Sequence, residues 1–242
     1  MKIQFIGTGS ITAKENPACL LIDDHILVDC GNGIVKALLK ENIDIFAIDT
    51  LLITHLHGDH FVDLPFLILP RSFTPVSNTL RILCPSGTEE AVRKLTELIY
   101  SDVEPLSDLC SKGQVVFEEF EAEEEMKAGD YSIRSIPVDH GNFSPSYGFL
   151  ISDGKHTLGV SGDSTLCEGV EIILQETDAA VLDCSFPEAN ASHMGSRTLL
   201  ELSEKYDVIL AATHMTPNSR SILKEANKTK IIIPSDYDIL NI

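Results

Sequence analysis

Seven side chains that can bind a divalent metal occur in four short segments of the 242-residue chain. The densest segment is THLHGDH at residues 54–60, which holds three histidines and one aspartate directly after the apolar run 51–53. The other three segments carry His140, Asp163 and His214, each just past a β-type apolar run. Imidazole and carboxylate groups bind first-row divalent ions in their ordinary ionisation states. Together these ligands are enough for two metal ions.

The spacing within residues 54–60 favours two neighbouring ions. In an extended turn, His55 and His57 can direct both imidazoles at one ion, whereas Asp59 and His60 in the following helix-starting turn can face the next. Two ions bridged by a carboxylate and a hydroxide form the two-metal hydrolase arrangement, in which the pKa of the bound water falls to about 7. Histidine and carboxylate ligands favour zinc, with manganese or iron as alternatives.

Strand-like apolar runs alternate with helix-like segments and would bring these ligands to one edge of a layered structure. Strands are predicted at residues 3–6, 18–22, 25–29, 50–54, 80–84, 114–119, 131–138, 147–152, 156–161, 179–183, 208–212 and 230–233. Helices are predicted at 33–41, 62–69, 86–100, 196–205 and 219–226, the third with Ser86 as its N-cap. No linker or internal repeat divides the chain, so we expect one domain over residues 1–242 with two sheets faced by helices.

Composition limits the partners and the compartment. The formal net charge is −19 and no basic stretch occurs, which opposes binding to a polyanionic nucleic acid. Part of this charge lies in the acidic cluster 118–125, which we interpret as a solvated edge strand or loop. No apolar run reaches eighteen residues, so no membrane span is expected. Residues 1–9 lack the features of a secretory signal, and six cysteines without CxxC spacing indicate buried thiols in a reducing cytoplasm.

On these motifs the chain resembles the metallo-β-lactamase-fold hydrolases and, within them, the ribonuclease Z-like group. Residues 54–60 are close to that group's metal motif, although Asp63 replaces a glycine that follows it. FIGTGS at 5–10 resembles the opening strand and turn, and LVDCGNG at 27–33 resembles the second motif, in which Asp29 would support the metal site from behind. The resemblance implies an α/β (α+β) fold, a four-layer αβ/βα sandwich of two facing mixed sheets with helices outside.

The same resemblance implies a ligand set for each ion. One ion would be held by His55, His57, His140 and Asp163. The other would be held by Asp59, His60, Asp163 and His214. The remaining histidines that lack such a context, His25 and His156, are expected at the surface.

A further segment resembles the proton-transfer machinery of ribonuclease Z. VLDCSF at 181–186, followed by His193, resembles a segment that pairs an acidic residue with a catalytic histidine. In this chain Asp183 takes the place of a longer glutamate, and Leu182 stands where that segment begins with histidine. The catalytic candidates are therefore Asp59, Asp183 and His193, with His193 protonating the leaving oxygen.

The chain departs from ribonuclease Z between His140 and Asp163, where only 22 residues lie. The long tRNA-binding arm of that group does not fit in this interval. We therefore expect a dinuclear-zinc phosphodiesterase that uses a metal-bridging hydroxide on a cyclic nucleotide, a nucleotide-like ester or a short nucleic acid. Arg71, Lys112 and Arg197 are candidate phosphate contacts.

Other functions remain open at this point. One is 3′-tRNA processing by an endoribonuclease of the ribonuclease Z type, and another is carboxyl or thioester hydrolysis on the same fold. Against glyoxalase II-type thioesterases, residues 140–143 read HGNF where those enzymes have a Pro-Gly-His-Thr pattern. A noncatalytic metal-binding module is the remote alternative. The resemblance also leads us to expect a homodimer, with no residue pattern of its own to support it.

Overall fold

Two seven-stranded mixed sheets lie face to face in the computed structural model, which describes residues 1–101, 105–226 and 230–242. The strands of this described part are β1 (Lys2–Gly7), β2 (Cys19–Ile22), β3 (Ile26–Val28), β4 (Thr50–Leu52), β5 (Leu80–Pro85), β6 (Val115–Phe120), β7 (Glu125–Ala128), β8 (Tyr131–Pro137), β9 (Tyr147–Ser152), β10 (Thr157–Val160), β11 (Ala179–Asp183), β12 (Ile209–Thr213), β13 (Ile231–Ile232) and β14 (Ile239–Asn241). The helices are α1 (Ile34–Lys40), α2 (Gly58–Phe61), α3 (Leu64–Ile68), α4 (Thr88–Ile99), α5 (Pro105–Ser111), α6 (Glu168–Gln175), α7 (Ser196–Lys205) and α8 (Pro217–Glu225).

Strand direction places the ends of several strands at a common edge. The first sheet has the order β14-β1-β2-β3-β4-β5-β6, and its strands β3 to β6 are parallel. The second has the order β13-β12-β11-β10-β9-β8-β7, and its strands β10 to β13 are parallel. Strands β8 and β10 both run antiparallel to β9, so they point the same way as each other. The carboxyl ends of β8, β10, β11 and β12 therefore meet at one edge.

Three apolar cores hold the layers together. The central core lies between the sheets and includes Phe5 and Val28 from the first sheet and Phe149 from the second. A second core packs the first sheet against α1, α3, α4 and α5, and a third packs the second sheet against α6, α7 and α8. Adjacent residues Leu27 and Val28 of β3 face different cores, which explains why such strands read as continuous apolar runs. The predicted four-layer αβ/βα sandwich is confirmed.

Every strand and helix predicted from the sequence lies within two residues of an observed one. The N-cap prediction at Ser86 is wrong: Gly87, with φ of 87°, is the N-cap of α4, and the Ser86 hydroxyl donates to Glu119 instead. The helix predicted at 62–69 corresponds to α3, which ends at Ile68 and continues as a 3-10 helix, Leu69–Ser72, because Pro70 has no N–H to continue the α-helix. Elements α5, α6, β7 and β14 were not predicted, and α2 was expected only as a helix-starting turn.

The acidic cluster 118–125 lies on both sheet edges, as the sequence indicated. Strand β6 is the last strand of the first sheet, and β7 is the last strand of the second. Charged side chains on such strands oppose edge-to-edge pairing with other chains. Glu118 also forms a salt bridge with Arg81, whose Nη2 lies 2.7 Å from Glu118 Oε2.

Residues 141–162 are occupied by a short loop, β9, a turn at 153–156 and β10. Across the described residues, no helix combines the length and apolar character needed to cross a membrane.

Candidate metal centre and active site

Each candidate ligand follows the carboxyl end of a strand. His55 and His57 lie between β4 and α2, while Asp59 and His60 lie within α2. The other ligands follow β8, β10 and β12, whose ends meet at the edge described above. Because the two sheets face each other, these strand ends bring all seven ligands together from segments far apart in sequence.

The first ligand set consists of three imidazoles and one carboxylate. His55 Nε2 lies 3.0 Å from His57 Nδ1, and His140 Nε2 lies 3.1 Å from the same atom. Asp163 Oδ2 lies 3.8 Å from His55 Nε2 and 3.9 Å from His140 Nε2. A tetrahedral zinc with ligands at about 2.0–2.1 Å keeps its ligand atoms roughly 3.3 Å apart, so this spacing suits an ion at the centre.

The second set consists of Asp59, His60 and His214, whose ligand atoms lie within 4.8 Å of one another. Asp59 Oδ2 is 3.3 Å from His214 Nε2 and 3.9 Å from His60 Nε2. Asp163 Oδ2 is 3.4 Å from His60 Nε2 and 3.5 Å from His214 Nε2. One carboxylate oxygen thus faces both sets, which is the position of a shared ligand.

Asp29, at the end of β3, orients two of the imidazoles. Its Oδ2 accepts hydrogen bonds from His60 Nδ1 and from Thr54 Oγ1, both at 2.8 Å, and its Oδ1 accepts from the Thr54 backbone N–H at 2.9 Å. Because the Thr54 hydroxyl donates its hydrogen bond to Asp29, Thr54 Oγ1 accepts a hydrogen bond from the His55 Nδ1–H at 3.0 Å. Both imidazoles are therefore held with Nε2 facing the site.

Two further imidazoles are oriented in the same way. His140 Nδ1 donates to the carbonyl oxygen of Ser192 at 2.8 Å, and His214 Nδ1 donates to Ser185 Oγ at 2.7 Å. Ser185 Oγ in turn donates to Asp183 Oδ1 at 2.6 Å. Sequence reasoning did not single out Ser185 or Thr54, although both lie inside motifs that it identified.

The predicted pair of Asp183 and His193 lies beside the second ligand set. His193 Nδ1 donates to Asp183 Oδ2 at 2.8 Å, so the aspartate reaches the imidazole despite being shorter than glutamate. His193 Nδ1 is also 3.9 Å from Asp163 Oδ2. Asp163, His193 and His214 thus form a third group of potential ligands within 4.8 Å.

Burial and neighbouring charges set the protonation states. Burial lowers the pKa of His55 well below its usual range and also lowers that of His57. Burial alone would raise the pKa of Asp163, but His214 and His60 outweigh it and hold that pKa well below its usual value. For His193, burial lowers the pKa and the hydrogen bond to Asp183 raises it, with a net rise. For His55, His57 and Asp163, these shifts favour the neutral imidazoles and the ionised carboxylate that metal ligands need.

The residues present fit divalent ions. In the first set, the Nε2 atoms of His55 and His140 carry no proton when their Nδ1 atoms donate, and they lie 3.0 and 3.1 Å from His57 Nδ1, a group of three nitrogens that a cation would stabilise. In the second set, His60 Nε2 is buried and makes no hydrogen bond to any described residue. Burial lowers the pKa of His60, but Asp163 and Asp29 outweigh it and raise that pKa well above its usual range. Positive charge is therefore favoured at His60 Nε2.

The opening segment of the chain supports the turn that carries His214. His214 has a φ of 54°, a left-handed conformation that costs a non-glycine residue about 1–2 kcal/mol. The Met215 N–H donates to the Thr8 carbonyl at 2.9 Å, and the Ser10 N–H donates to the Met215 carbonyl at 3.1 Å. Thr8 is itself held by Asp236 Oδ1, which accepts from its N–H and hydroxyl. The FIGTGS motif therefore stabilises the position of a candidate ligand.

The second motif supports α2 through a close backbone approach. A Cβ on Gly31 would overlap the carbonyl oxygen of Asp59, so only glycine allows α2 to pack at this distance. Asp63, which replaces a glycine of the ribonuclease Z motif, accepts hydrogen bonds from Gly33 and Val35, each at 3.0 Å. It thereby binds the free N–H groups at the start of α1.

Replacing Asp29 by asparagine is expected to weaken the binding of metal about 10- to 100-fold, since Asp29 orients His60 and, through Thr54, His55. Competition with a chromophoric chelator measures this affinity. The matched control is Asp49→Asn, because Asp49 contacts the partly exposed His25 at 3.2 Å away from the site. Equal affinities in the two variants would contradict the orienting role of Asp29.

A cavity of about 410 Å³ opens beside the first ligand set. Its lining combines three imidazoles with polar and aromatic side chains: His57, His140, His193, Asn142, Phe143, Phe186, Asn190 and Ser192. No lysine or arginine of the described residues lines it. Another cavity, of about 340 Å³, lies against α1 and α3 and is lined by none of the candidate ligands.

The three residues predicted as phosphate contacts do not line the cavity beside the ligand sets. Arg71 is buried and donates to the carbonyl oxygen of Ile48 at 2.8 Å. Lys112 pairs with Asp108, four residues earlier, at 2.6 Å. The exposed Arg197 pairs with Glu188.

The two histidines expected at the surface are partly exposed, 31% for the His25 side chain and 44% for that of His156. Tyr147 is buried in the central core, where its ring centroid lies 5.0 Å from that of Phe120.

Comparison with known proteins agrees with this geometry. The chain matches the family described as anti-Pycsar protein Apyc1 over residues 1–236. It is 28% identical over 193 residues to ribonuclease Z of Mycolicibacterium gilvum, covering 75% of this chain and 68% of that protein. Among solved structures, it superposes on the metallo-β-lactamase fold protein YhfI of Bacillus subtilis with a TM-score of 0.79 and 22% identity, covering 99% of this chain and 98% of that one.

The human short-form tRNase Z gives a TM-score of 0.75 with 21% identity, covering 100% of this chain and 99% of the human one. At such identities these structures show the fold alone. The resemblance to ribonuclease Z-like proteins is confirmed. The chain belongs to the Apyc1 family and is a metal-dependent hydrolase of the metallo-β-lactamase fold, similar to ribonuclease Z.

Proposed function

We propose that the protein is a dinuclear phosphodiesterase that binds two zinc ions and hydrolyses a small phosphodiester, with cyclic nucleotides the first candidates. The observation that carries this proposal is the convergence of two ligand sets on Asp163 Oδ2, with His193 and Asp183 beside them. Two adjacent ions and a proton donor within reach of one point suit displacement at phosphorus.

We assign the ligands to the two ions in the division that the resemblance implied. One ion would be held by His55, His57, His140 and Asp163. The other would be held by Asp59, His60, Asp163 and His214. When bound, the ions would lower the pKa of a coordinated water to about 7 and screen the charge that develops on the phosphoryl oxygens. The imidazole-rich donor set favours zinc, and manganese or iron are the alternatives.

His193 is the proposed proton donor to the leaving oxygen. Its Nδ1 is engaged by Asp183, so Nε2 is the nitrogen left to exchange a proton with a substrate in the cavity that His193 lines. Asp183 is fully buried and also accepts from the Ser164 and Ser185 N–H groups, which fixes the carboxylate and therefore the plane of the imidazole. General acid catalysis of this kind contributes about 10²–10⁴-fold.

The surroundings of the site favour a small substrate with little charge. A volume of about 410 Å³ is at the lower end of the usual range of ligand cavities, and no described lysine or arginine lines it to neutralise additional phosphates. The net charge of −19 repels a polyanion. Residues 141–162 form β9, β10 and their connections, which leaves no room in this interval for the long tRNA-binding arm of ribonuclease Z.

Bis(p-nitrophenyl) phosphate tests the reaction class. We expect no hydrolysis after dialysis against a chelator and recovery of hydrolysis after addition of zinc or manganese, measured by p-nitrophenol release. A thioester is assayed in parallel. Turnover of the thioester, with no metal-dependent turnover of any phosphodiester, would overturn the proposal in favour of a thioester hydrolase. Stoichiometric metal binding without turnover of either substrate would favour a noncatalytic metal-binding module.

The second candidate is 3′-tRNA processing, which the names of the curated relatives favour. Incubation with a 3′-extended precursor tRNA separates the two candidates. The small-substrate proposal expects weak or absent cleavage at the acceptor end and faster turnover of a cyclic nucleotide. Efficient cleavage of the precursor would establish the second candidate.

Three expectations from the sequence belong to the same proposal: one domain over residues 1–242, a homodimer and a cytoplasmic location. Analytical ultracentrifugation measures the oligomeric state directly.

A further inference from the structure

A buried arginine of α8 joins three segments that are far apart in the sequence. Arg220 is 8% exposed; its Nη2 donates to Thr8 Oγ1 at 2.7 Å, and its Nη1 donates to the carbonyl oxygen of Pro234 at 2.6 Å. Its Nε lies 3.8 Å from Glu15 Oε1. Arginine is rarely buried unless such partners are present. Arg220 therefore connects α8 to the opening segment of the chain and to the segment that follows β13.

Thr8 is the residue at which these contacts meet. Its hydroxyl accepts from Arg220 and donates to Asp236 Oδ1 at 2.8 Å. A guanidinium and a carboxylate thus lie on either side of one hydroxyl, and hydrogen bonds to charged groups are stronger than those between neutral groups. Asp236 also accepts from the N–H groups of Thr8 and Asn16, at 3.0 and 2.8 Å. The position of Thr8 is therefore fixed by charged side chains from α8 and from the segment after β13.

The backbone of Thr8 in turn holds the peptide that follows His214. The Thr8 carbonyl oxygen accepts from the Met215 N–H at 2.9 Å. That N–H belongs to the peptide unit that joins His214 to Met215, and because this unit is planar, its orientation sets ψ of His214. His214 has a φ of 54°, and a non-glycine residue keeps such a conformation only where surrounding contacts hold it. A displacement of Thr8 would therefore allow the backbone of His214 to relax and its imidazole to move.

The imidazoles of the first ligand set are oriented by other partners. His55 Nδ1 donates to Thr54 Oγ1, and His140 Nδ1 donates to the carbonyl oxygen of Ser192. Neither partner belongs to the hydrogen-bonded group around Thr8. That group therefore acts on His214, a proposed ligand of the second ion, and leaves these ligands of the first ion in place.

We propose that Arg220, Thr8 and Asp236 are positioning residues for His214, so that the affinity for the second ion depends on a polar group outside both ligand sets. We call these three residues the Thr8 clamp. The inference rests on the proposed two-ion site, though not on its substrate. If the same hydrogen bonds only attached the segment after β13 to the fold, their loss would lower the thermal stability without separating the affinities for the two ions.

Stepwise titration of the metal-free protein with zinc, in competition with a chromophoric chelator, measures the affinity for each ion. Thr8→Val removes the hydroxyl that joins Arg220 to Asp236 and keeps a β-branched side chain. We expect it to weaken binding of the second ion about tenfold or more, as for other residues that orient metal ligands, and to leave binding of the first ion unchanged. The second ion is identified as the one whose binding is lost in His214→Ala. Thr8→Ser keeps a hydroxyl and should restore the wild-type affinity.

The matched control is Thr96→Val, which removes another buried hydroxyl, one that donates to the carbonyl oxygen of Val92 within α4. It should keep both affinities. Circular dichroism establishes whether each variant is folded. Should Thr8→Val not fold, Asp236→Asn is the second variant: it keeps the shape of the carboxylate and removes its charge, so we expect a smaller loss that is again confined to the second ion.

An equal loss of affinity for both ions, no loss for either, or a loss confined to the first ion would overturn the Thr8 clamp. A wild-type protein that binds a single ion would overturn the dinuclear proposal and the clamp with it. A loss confined to the second ion, in a protein whose wild type hydrolyses no phosphodiester, would support the clamp and overturn the proposed reaction.

Discussion

Asp163→Ala is expected to lower hydrolysis of bis(p-nitrophenyl) phosphate by at least about 10³-fold and to lower the metal content below that of the wild type. Asp163 Oδ2 faces His55 and His140 in one ligand set and His60 and His214 in the other, so we propose it as the ligand shared by both ions. Loss of metal assistance worth several kcal/mol corresponds to a rate loss of this size. Elemental analysis of the dialysed protein and initial rates at saturating substrate measure the two effects.

The control for this variant is Asp108→Ala, which removes a surface carboxylate that pairs with Lys112 at 2.6 Å. It should keep wild-type metal content and activity. Circular dichroism establishes whether both variants retain the fold. A folded Asp163→Ala protein that keeps two ions and full turnover would show that Asp163 is not the shared ligand.

His193→Ala is expected to lower kcat by about 10² or more while two ions stay bound. His193 Nδ1 is held by Asp183 at 2.8 Å, and neither of the proposed ligand sets requires His193. A proton donor acts on the leaving oxygen in the transition state, so its removal should lower kcat more than it changes KM. Steady-state kinetics with a poor and a good leaving group provide the sharper measurement, because a good leaving group needs less protonation.

His156→Ala is the matched control, since His156 is another histidine near an aspartate, with Nδ1 3.9 Å from Asp178 Oδ2 and a side chain that is 44% exposed. It should behave as the wild type. The structure also groups His193 with Asp163 and His214 within 4.8 Å, which defines the contrary outcome. If His193→Ala loses one equivalent of metal, His193 is a ligand; if turnover is unchanged for both leaving groups, it takes no part in the reaction.

The sequence by itself determined the fold class and the positions of most strands and helices. Apolar runs such as 51–53 read as strands because they are buried on both faces, and this signal is local. Local signals failed where tertiary contacts decide: Ser86 has the residue type of an N-cap, but its hydroxyl is drawn to Glu119 on the neighbouring β6. The short edge strands β7 and β14 are charged or only three residues long, and they depend on neighbours distant in sequence.

For the site, residue types and spacing singled out the seven candidate ligands, and the resemblance to ribonuclease Z added the pair of Asp183 and His193. The motif at 54–60 is compact enough to be recognised alone, and the other ligands follow strands whose ends meet at one edge. The sequence does not determine the distance between the Asp183 carboxylate and the His193 imidazole, because that distance depends on how β11 and the loop before α7 pack together. The structure gives it as 2.8 Å.

Only the tertiary structure revealed how the imidazoles are oriented and what borders the site. Thr54 and Ser185 act through single hydrogen bonds to His55 and His214, and common residue types such as these carry no distinguishing sequence signal. Likewise, Phe143 and Phe186 are 43 positions apart, and nothing local predicts that both flank the same imidazoles. Ligand types are written in the sequence because metal binding requires particular atoms, whereas orientation and surroundings arise from contacts between distant segments.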